Sequence, residues 1–348
     1  MICIVMVKNE KSDNKYLVIG HDYNNGGIFA IFASVVSYII WAERNGYIPV
    51  VDLQHHYNQY FKDCRIYLDN AWEYFFTQPT EYNLKSIQDG MNISISLSQF
   101  MPYEDSMFIP SDIPNSKNEV CKNKNAKDYQ KYLTFNKEFE AKLIQKYEEI
   151  IGDKSNILGV LCRGTDYVSK KPQGHNIQPD VETVIKKVKE VIKVQKVEHI
   201  WVATESLGIY NRFVENFGDL VILNPQYKYE DTKDKYLYEI SVNDGNHSYN
   251  LGCDYILSMY ILSKCKYFIG GKTYGTMGVY LMSDMFKNQQ YVYLFDCGFY
   301  GDITYNNIFE KIFSIKKIVT DKNTRTALTV FGIKFIRTKN NMETYRRN

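Results

Sequence analysis

The chain has 348 residues, 45% of them hydrophobic and 24% charged, with a net charge of +2. That balance belongs to a folded chain with a sizeable core and excludes a disordered or fibrous class, and the length predicts two domains or one large α/β unit. The charge is uneven: residues 311–348 hold ten Lys/Arg against Asp321 and Glu343, so this stretch carries +8 and the rest −6.

The opening MICIVMVKNE has a short apolar run without a basic lead or a small-residue cleavage site, so no secretory leader is expected and the expected location is cytoplasmic. KYLVIG (15–20) predicts a strand, HDYNNGG a loop, the apolar stretch 28–45 a helix and YIPVVDL (47–53) a second strand, together a βαβ unit. The uncharged run 28–42 falls short of the ~18–20 apolar residues of a membrane span and predicts a buried helix. A further helix is expected around DNAWEYFFTQ (69–78), and the polar, proline-bearing 102–135 reads as irregular surface or an insertion.

From residue 136 a second series begins. A helix over FNKEFEAKLIQKYEEIIG leads into the strand NILGVLCR, and Pro179-Asp180 starts a helix whose Val181, Val184, Ile185, Val188, Val191 and Ile192 share one face. Strands are expected at 199–206, 220–224, 266–271 and 291–296, with helices near 207–217, 249–263 and 275–285. Continuous apolar strands alternating with amphipathic helices predict parallel sheets covered on both faces. Two Rossmann-like domains, 1–135 and 136–310, are therefore expected to face across a cleft, followed by the basic tail 311–348. Ligands of such folds sit beyond the carboxyl ends of the strands.

Seven cysteines without C-x-x-C spacing support neither a disulfide framework nor a zinc site. The adjacent His55 and His56 alternate in direction on a strand end, which disfavours joint metal binding. Thirty tyrosines are consistent with carbohydrate-stacking surfaces, and equally with a coding bias that also enriches Asn, Lys and Ile.

The loop Cys162-Arg163-Gly164-Thr165-Asp166-Tyr167 follows a buried strand. Its arginine fork suits a diphosphate, with Asp166 orienting it or acting on a substrate hydroxyl; the same residues also suit an Arg–Asp pair that only fixes the loop. Gly270-Gly271 with Thr273 and Thr276 reads as an anion site at a helix start or as a tight turn. Asn24-Asn25-Gly26-Gly27 lacks a full G-x-G-x-x-G pattern, which weakens a dinucleotide reading, and the neighbouring His21 and Asp22 are candidates to assist a hydroxyl or to hold the loop.

LGVLCRGTDY, GHNIQPDVETVIKKV, IWVATES and LSKCKYFIGG in this order resemble the fucosyltransferases related to bacterial and animal α-1,6-fucosyltransferases and protein O-fucosyltransferases, in an R-G-T-D-Y variant. The resemblance spans most of 15–300. It implies a GT-B-like architecture and inverting transfer from a GDP-sugar, typically GDP-fucose, to a glycan acceptor, with no metal or other cofactor. It places the acceptor side in 1–135 and the nucleotide-sugar side in 136–310. Arg163 and Asp166 fall on the motif's catalytic positions, Thr165, His175, Thr204, Glu205, Thr273 and Thr276 on the donor side, and His21, Asp22, Asn25, Gly26 and Gly27 on the cleft or acceptor side. The sequence departs from the pattern at Leu161, where a histidine is usual, at Gly164, and at Ser258, where an acid is common and Asp254 lies one turn earlier. A nicotinamide dehydrogenase or an idle glycan-binding protein are the alternatives; nucleic acid is not an expected partner. In the tail, ALTVFGIKFIRTK (327–339) mixes apolar and basic residues and suggests contact with an anionic inner membrane face, or a packed C-terminal strand or helix.

Overall fold

The computed structural model describes residues 14–20, 26–55, 58–62, 65–87, 92–96, 106–164, 168, 170–230, 240, 246–300, 313–319, 323–330 and 333–340. Contacts gather the chain through Tyr300 into one compact unit and Gly301–Asn348 into a second.

The expected βαβ unit opens the first unit. Strand β1 (Tyr16–Gly20) is buried throughout, helix α1 (Ile28–Arg44) follows, and β2 (Ile48–Asp52) returns parallel to β1. A third strand, β3 (Asn92–Ser96), pairs parallel on the other side of β1, giving the order β2-β1-β3. Its polar sequence NISIS carries no apolar run to announce it. α1 is buried as its lack of charge predicts, and no helix among the described residues is long and apolar enough to cross a membrane.

The helix expected at 69–78 shrinks to one 3-10 turn, Ala71–Tyr74, capped by the Asn70 side chain accepting from the Trp72 N–H. Backbone pairing wins over helix continuation here: Asn136 N–H donates to Phe75 at 2.9 Å and Thr77 N–H to Thr134 at 3.0 Å. The irregular surface expected at 102–135 is also corrected for its described part. Helix α2 (Ala126–Tyr132) brings Tyr129 into the core, where its hydroxyl accepts from the Phe108 N–H at 3.0 Å and reaches the Ala33 carbonyl at 3.1 Å.

Helix α3 (Lys137–Ile151) leads to the second sheet, built from β4 (Ile157–Leu161), β5 (His199–Ala203), β6 (Tyr267–Gly271) and β7 (Tyr291–Phe295). All pairings are parallel, in the order β5-β4-β6-β7. Between the strands lie α4 (Val181–Val194), α5 (Leu207–Phe217), α6 (His247–Lys264) and α7 (Tyr274–Met282). The two sheet faces bury different partners: Leu158, Val160, Ile200 and Val202 pack with Val184, Val188 and Phe213, while Leu161, Trp201 and Phe268 join a core shared with α1, α6 and α7. That α/β architecture with parallel sheets is the fold class the alternation predicts. The predicted strand 220–224 is reduced to one parallel bridge, Ile200 to Val221, because side chains replace the ladder further on: the Asn224 amide donates to the Val202 carbonyl at 3.0 Å.

α1 and α7 approach closely at a glycine. A Cβ on Gly278 would lie 2.6 Å from the Phe29 ring, so the helices meet at that distance only without a side chain.

The second unit contains β8 (Phe313–Val319), β9 (Asn323–Val330) and β10 (Ile333–Asn340), an antiparallel sheet ordered β10-β9-β8. The described residues of the tail segment, 327–330 and 333–339, thus lie in strands.

Candidate functional site

The order β5-β4-β6-β7 reverses direction at β4, so the loops after β4 and β6 leave to opposite sides and open a crevice at their carboxyl ends. Arg163 is the second residue of the β4 loop, directly after Cys162, whose N–H still donates to Ala203 at 3.1 Å. Glu205, beyond β5, holds this loop: its carboxylate accepts from the Gly164 N–H at 3.1 Å and lies 3.8 Å from Arg163 Nε. A Cβ at position 164 would lie 2.6 Å from the Ile209 Cδ1 methyl, so the loop passes close to α5 at this glycine. Tyr255 on α6 lines the same cavity as Arg163, and the Arg163 charge partly opposes the burial that pushes the Tyr255 phenol up.

Residues 204–206 and 226–229 form the next wall. Tyr229 N–H donates to Glu205 at 2.8 Å and Leu207 N–H to Tyr229 at 2.9 Å, a parallel bridge that continues β5. The Thr204 hydroxyl accepts from the Ser206 N–H at 3.2 Å, and Ser206 in turn caps α5. The Gln226 amide donates to the Asp254 carbonyl at 2.7 Å and accepts from the Ser258 hydroxyl. Tyr227, 53% exposed, meets Tyr229 and His247 edge-on, and the Tyr229 hydroxyl hydrogen-bonds His247 Nε2 at 3.2 Å.

Opposite, Gln59 and Tyr60 both donate to the Gly26 carbonyl, at 3.0 and 3.2 Å, and fix the entry to α1. The helix begins on Gly27 with no side-chain cap. Between these walls lies a cavity of about 180 Å³ whose lining includes Gly27, Arg163, Thr204, Glu205, Tyr227 and Asp254.

Several groups titrate away from their ordinary values. Burial pushes the Asp254 carboxyl up, opposed by the Lys228 ammonium; among the described residues no donor contacts that carboxylate. Burial lowers Lys228 to about 8 although Asp254 opposes the shift, and its ammonium donates to the Asn224 and Gln226 carbonyls at 2.7 and 2.8 Å. Burial, then the Arg163 charge, lowers His175. The Cys162 thiol is pushed up to about 12 by burial, so it is no nucleophile at neutral pH.

The cleft therefore brings together Arg163, Thr204, Glu205 and Gly27, with Gly26 held at its edge. His175 sits on an adjoining loop tied to Tyr300 by reciprocal backbone bonds of 2.8 Å, close enough to sense Arg163, but it does not line the cavity. Thr273 and Thr276 are buried: Thr273 caps α7 by accepting from the Thr276 N–H at 3.1 Å, and the Thr276 hydroxyl donates to the Gly271 carbonyl. Both hydroxyls thus serve the β6–α7 turn. Thr165, Asp166, His21, Asp22 and Asn25 lie outside the described residues. Gln226, Tyr229 and Tyr255 were not legible as site residues, since no motif surrounds them. Asp254 and Ser258 did carry a signal, their four-residue spacing on one helix. Among the described residues no cluster of His, Cys, Asp and Glu is arranged to hold a metal.

No protein-family profile matches the chain, and no curated protein matches it by sequence. Solved structures do. The chain is similar to fucosyltransferase NodZ from Bradyrhizobium, at 16% identity over 81% of this chain and 99% of that one, with a TM-score of 0.46. POFUT1 in complex with GDP-fucose matches at 9% identity over 82% and 99%, TM-score 0.43. A mutant of Arabidopsis thaliana FUT1 in complex with GDP matches at 9% identity over 79% and 70%, TM-score 0.39.

Proposed function

We propose that this chain is an inverting glycosyltransferase that moves fucose from GDP-fucose to a glycan hydroxyl without a metal. The observation that carries the reading is Arg163, set beside Glu205 at the strand-order reversal and lining, with Tyr255, a cleft whose far side is the uncapped start of α1. A planar guanidinium and a helix N-terminus are both suited to a diphosphate.

In the reaction the acceptor oxygen bonds to the sugar C1 while the C1–O bond to the diphosphate breaks, and the leaving diphosphate takes the bonding electron pair. Its growing negative charge falls on Arg163, which supplies the stabilisation a metal would otherwise give. The acceptor proton passes to a base on the opposite face. Asp166 fills that role or orients Arg163.

The choice of guanine rests on Asp254. A carboxylate without a donor among the described residues, set in the wall of the cleft, matches the adjacent N1–H and N2–H₂ of guanine, which uracil and adenine do not present. Tyr227 provides an exposed ring against which a base can stack. The test is release of nucleoside diphosphate from GDP-fucose, GDP-mannose and UDP-glucose, each with EDTA. Release from GDP-fucose that persists with chelator supports the assignment; preference for the UDP-sugar, or activity restored only by Mn²⁺, overturns it.

A further inference from the structure

We propose that Lys228 is a positioning residue for recognition of the nucleotide base: its ammonium staples the turn 224–228 and supports the charge of the Asp254 carboxylate in the cleft wall. The inference rests on the guanine reading above and goes beyond it, since Lys228 is not itself among the residues that line the cleft.

The turn is built from polar anchors. The Asn224 amide donates to the Val202 carbonyl of β5 at 3.0 Å, and its oxygen accepts from the Gln226 N–H at 3.0 Å. Pro225 between them has no N–H, and the carbonyls of Asn224 and Gln226 both accept from Lys228, at 2.7 and 2.8 Å. One ammonium thus satisfies two acceptors of its own turn. It also sits over the Tyr210 ring of α5, 4.5 Å from the ring centre. From the same turn the Gln226 side chain reaches α6, donating to the Asp254 carbonyl at 2.7 Å and accepting from the Ser258 hydroxyl. Both ends of that amide are committed to α6, so Gln226 is a strut and not a reader of the base. Through it, Lys228 is joined to the helical turn that carries Asp254.

Charge completes the coupling. Guanine's N1–H and N2–H₂ are matched by Asp254 only as a carboxylate, a form that burial opposes. The Lys228 ammonium is the foremost charge that favours it, with Lys146 of α3 behind. Asp254 from α6 and Tyr210 from α5 are the titratable groups packed toward Lys228 from other elements. On its own segment stand Tyr227 and Tyr229, the latter bonded to His247 at the start of α6. Glu205, bonded to Tyr229 through its backbone, gives its carboxylate to Gly164. Asp254 is therefore the carboxylate that answers to the Lys228 charge.

The experiment is titration calorimetry of the full chain with GDP and with IDP, whose base keeps N1–H but lacks the 2-amino group, from about pH 6 to about pH 9. At neutral pH the wild type should prefer GDP roughly tenfold or more, the worth of one hydrogen bond to a charged group. Lys228→Met should cut that preference at least about threefold and move its loss on acidification to higher pH, because the charge opposing protonation of Asp254 is gone. Lys228→Arg should keep it. On the alkaline side, wild-type affinity for GDP should fall as pH rises through about 8, where the ammonium loses its proton. Lys228→Arg stays charged and should not show that fall. Melting curves of both variants establish that they are folded. A lysine that served the fold alone would weaken GDP and IDP alike and leave their ratio unchanged. An unchanged ratio in Lys228→Met, or a fall through pH 8 in Lys228→Arg like that of the wild type, overturns this inference and leaves the guanine reading standing. Equal binding of GDP and IDP by the wild type overturns both.

Discussion

The carboxylate of Glu205 accepts the Gly164 N–H at 3.1 Å and stands 3.8 Å from Arg163 Nε, so a single side chain beyond β5 fixes both the backbone and the guanidinium of the loop beyond β4. Neighbouring strand ends are thereby locked to one another where the crevice opens. Glu205→Gln retains an acceptor for Gly164 but loses the charge beside Arg163; Glu205→Ala loses both. The expected order of donor affinity is wild type, then Gln, then Ala, with the alanine variant also about 1–2 kcal/mol less stable because a part-buried hydrogen bond to a charged group is removed. Titration calorimetry with GDP and denaturant unfolding on the same proteins check it. Equal affinity in all three would show that the contact does not position the arginine.

Arg163 itself is the point on which the proposed chemistry turns. Arg163→Ala should lower turnover by roughly 10²–10³-fold, the loss typical of one preorganised donor, and Arg163→Lys should fall between because charge survives without the planar fork. The melting temperature should move little. A large fall in melting temperature with transfer retained would make the residue a structural partner of Glu205.

Thr276 gives the opposite expectation. Its hydroxyl is fully buried and committed to the Gly271 carbonyl. Thr276→Val leaves that carbonyl without its donor and should cost about 1–2 kcal/mol of stability, with donor KM unchanged. A selective rise in KM at normal stability would instead restore the phosphate contact that the sequence suggested.

Packing of α1 on α7 is tested at Gly278. Alanine gains about 1 kcal/mol of helix propensity, yet its Cβ meets three carbons of the Phe29 ring at 2.6–2.9 Å, and overpacking of that kind typically costs 1–3 kcal/mol. The ring is itself fully buried and cannot swing away. Gly278→Ala should therefore be net destabilising, whereas Gly278→Ala combined with Phe29→Leu should recover part of the loss in denaturant unfolding.

Lys228 makes stability depend on pH in a definite direction. Its folded value of about 8 lies below the ordinary lysine value, so between about 8 and 10.5 the unfolded chain binds more protons than the folded one. Stability contributed by this group accordingly rises with pH across that window and is lost as pH falls through 8. Relative to wild type, Lys228→Met should lack this upward slope, as seen by chemical denaturation at a series of pH values. Parallel pH profiles would mean that Lys228 is no more perturbed than a surface lysine.

Much of the architecture was legible because it depends on local pattern. Periodicity placed α1, α4, α5 and all four strands of the second sheet within a few residues, and the Asp180 cap stands where its side chain and Pro179 predicted. Arg163 was legible too, as the polar residue that follows a buried strand. The strand order, and hence the crevice beside β4, was not, since pairing partners are chosen by packing between residues a hundred positions apart. For the same reason residues 69–78 form a single 3-10 turn: their helical pattern yields to hydrogen bonds with residues 134–136, which no local window contains. Thr273 and Thr276 show the limit from the other side. Their spacing suits an anion site or a helix cap equally, and only the tertiary structure shows both hydroxyls buried and bonded within the β6–α7 turn. Sequence determined which segments are helix or strand and which residue types end them; tertiary structure decided which of those ends face one another, because a cleft is made by contacts between elements and not by the preferences of any one.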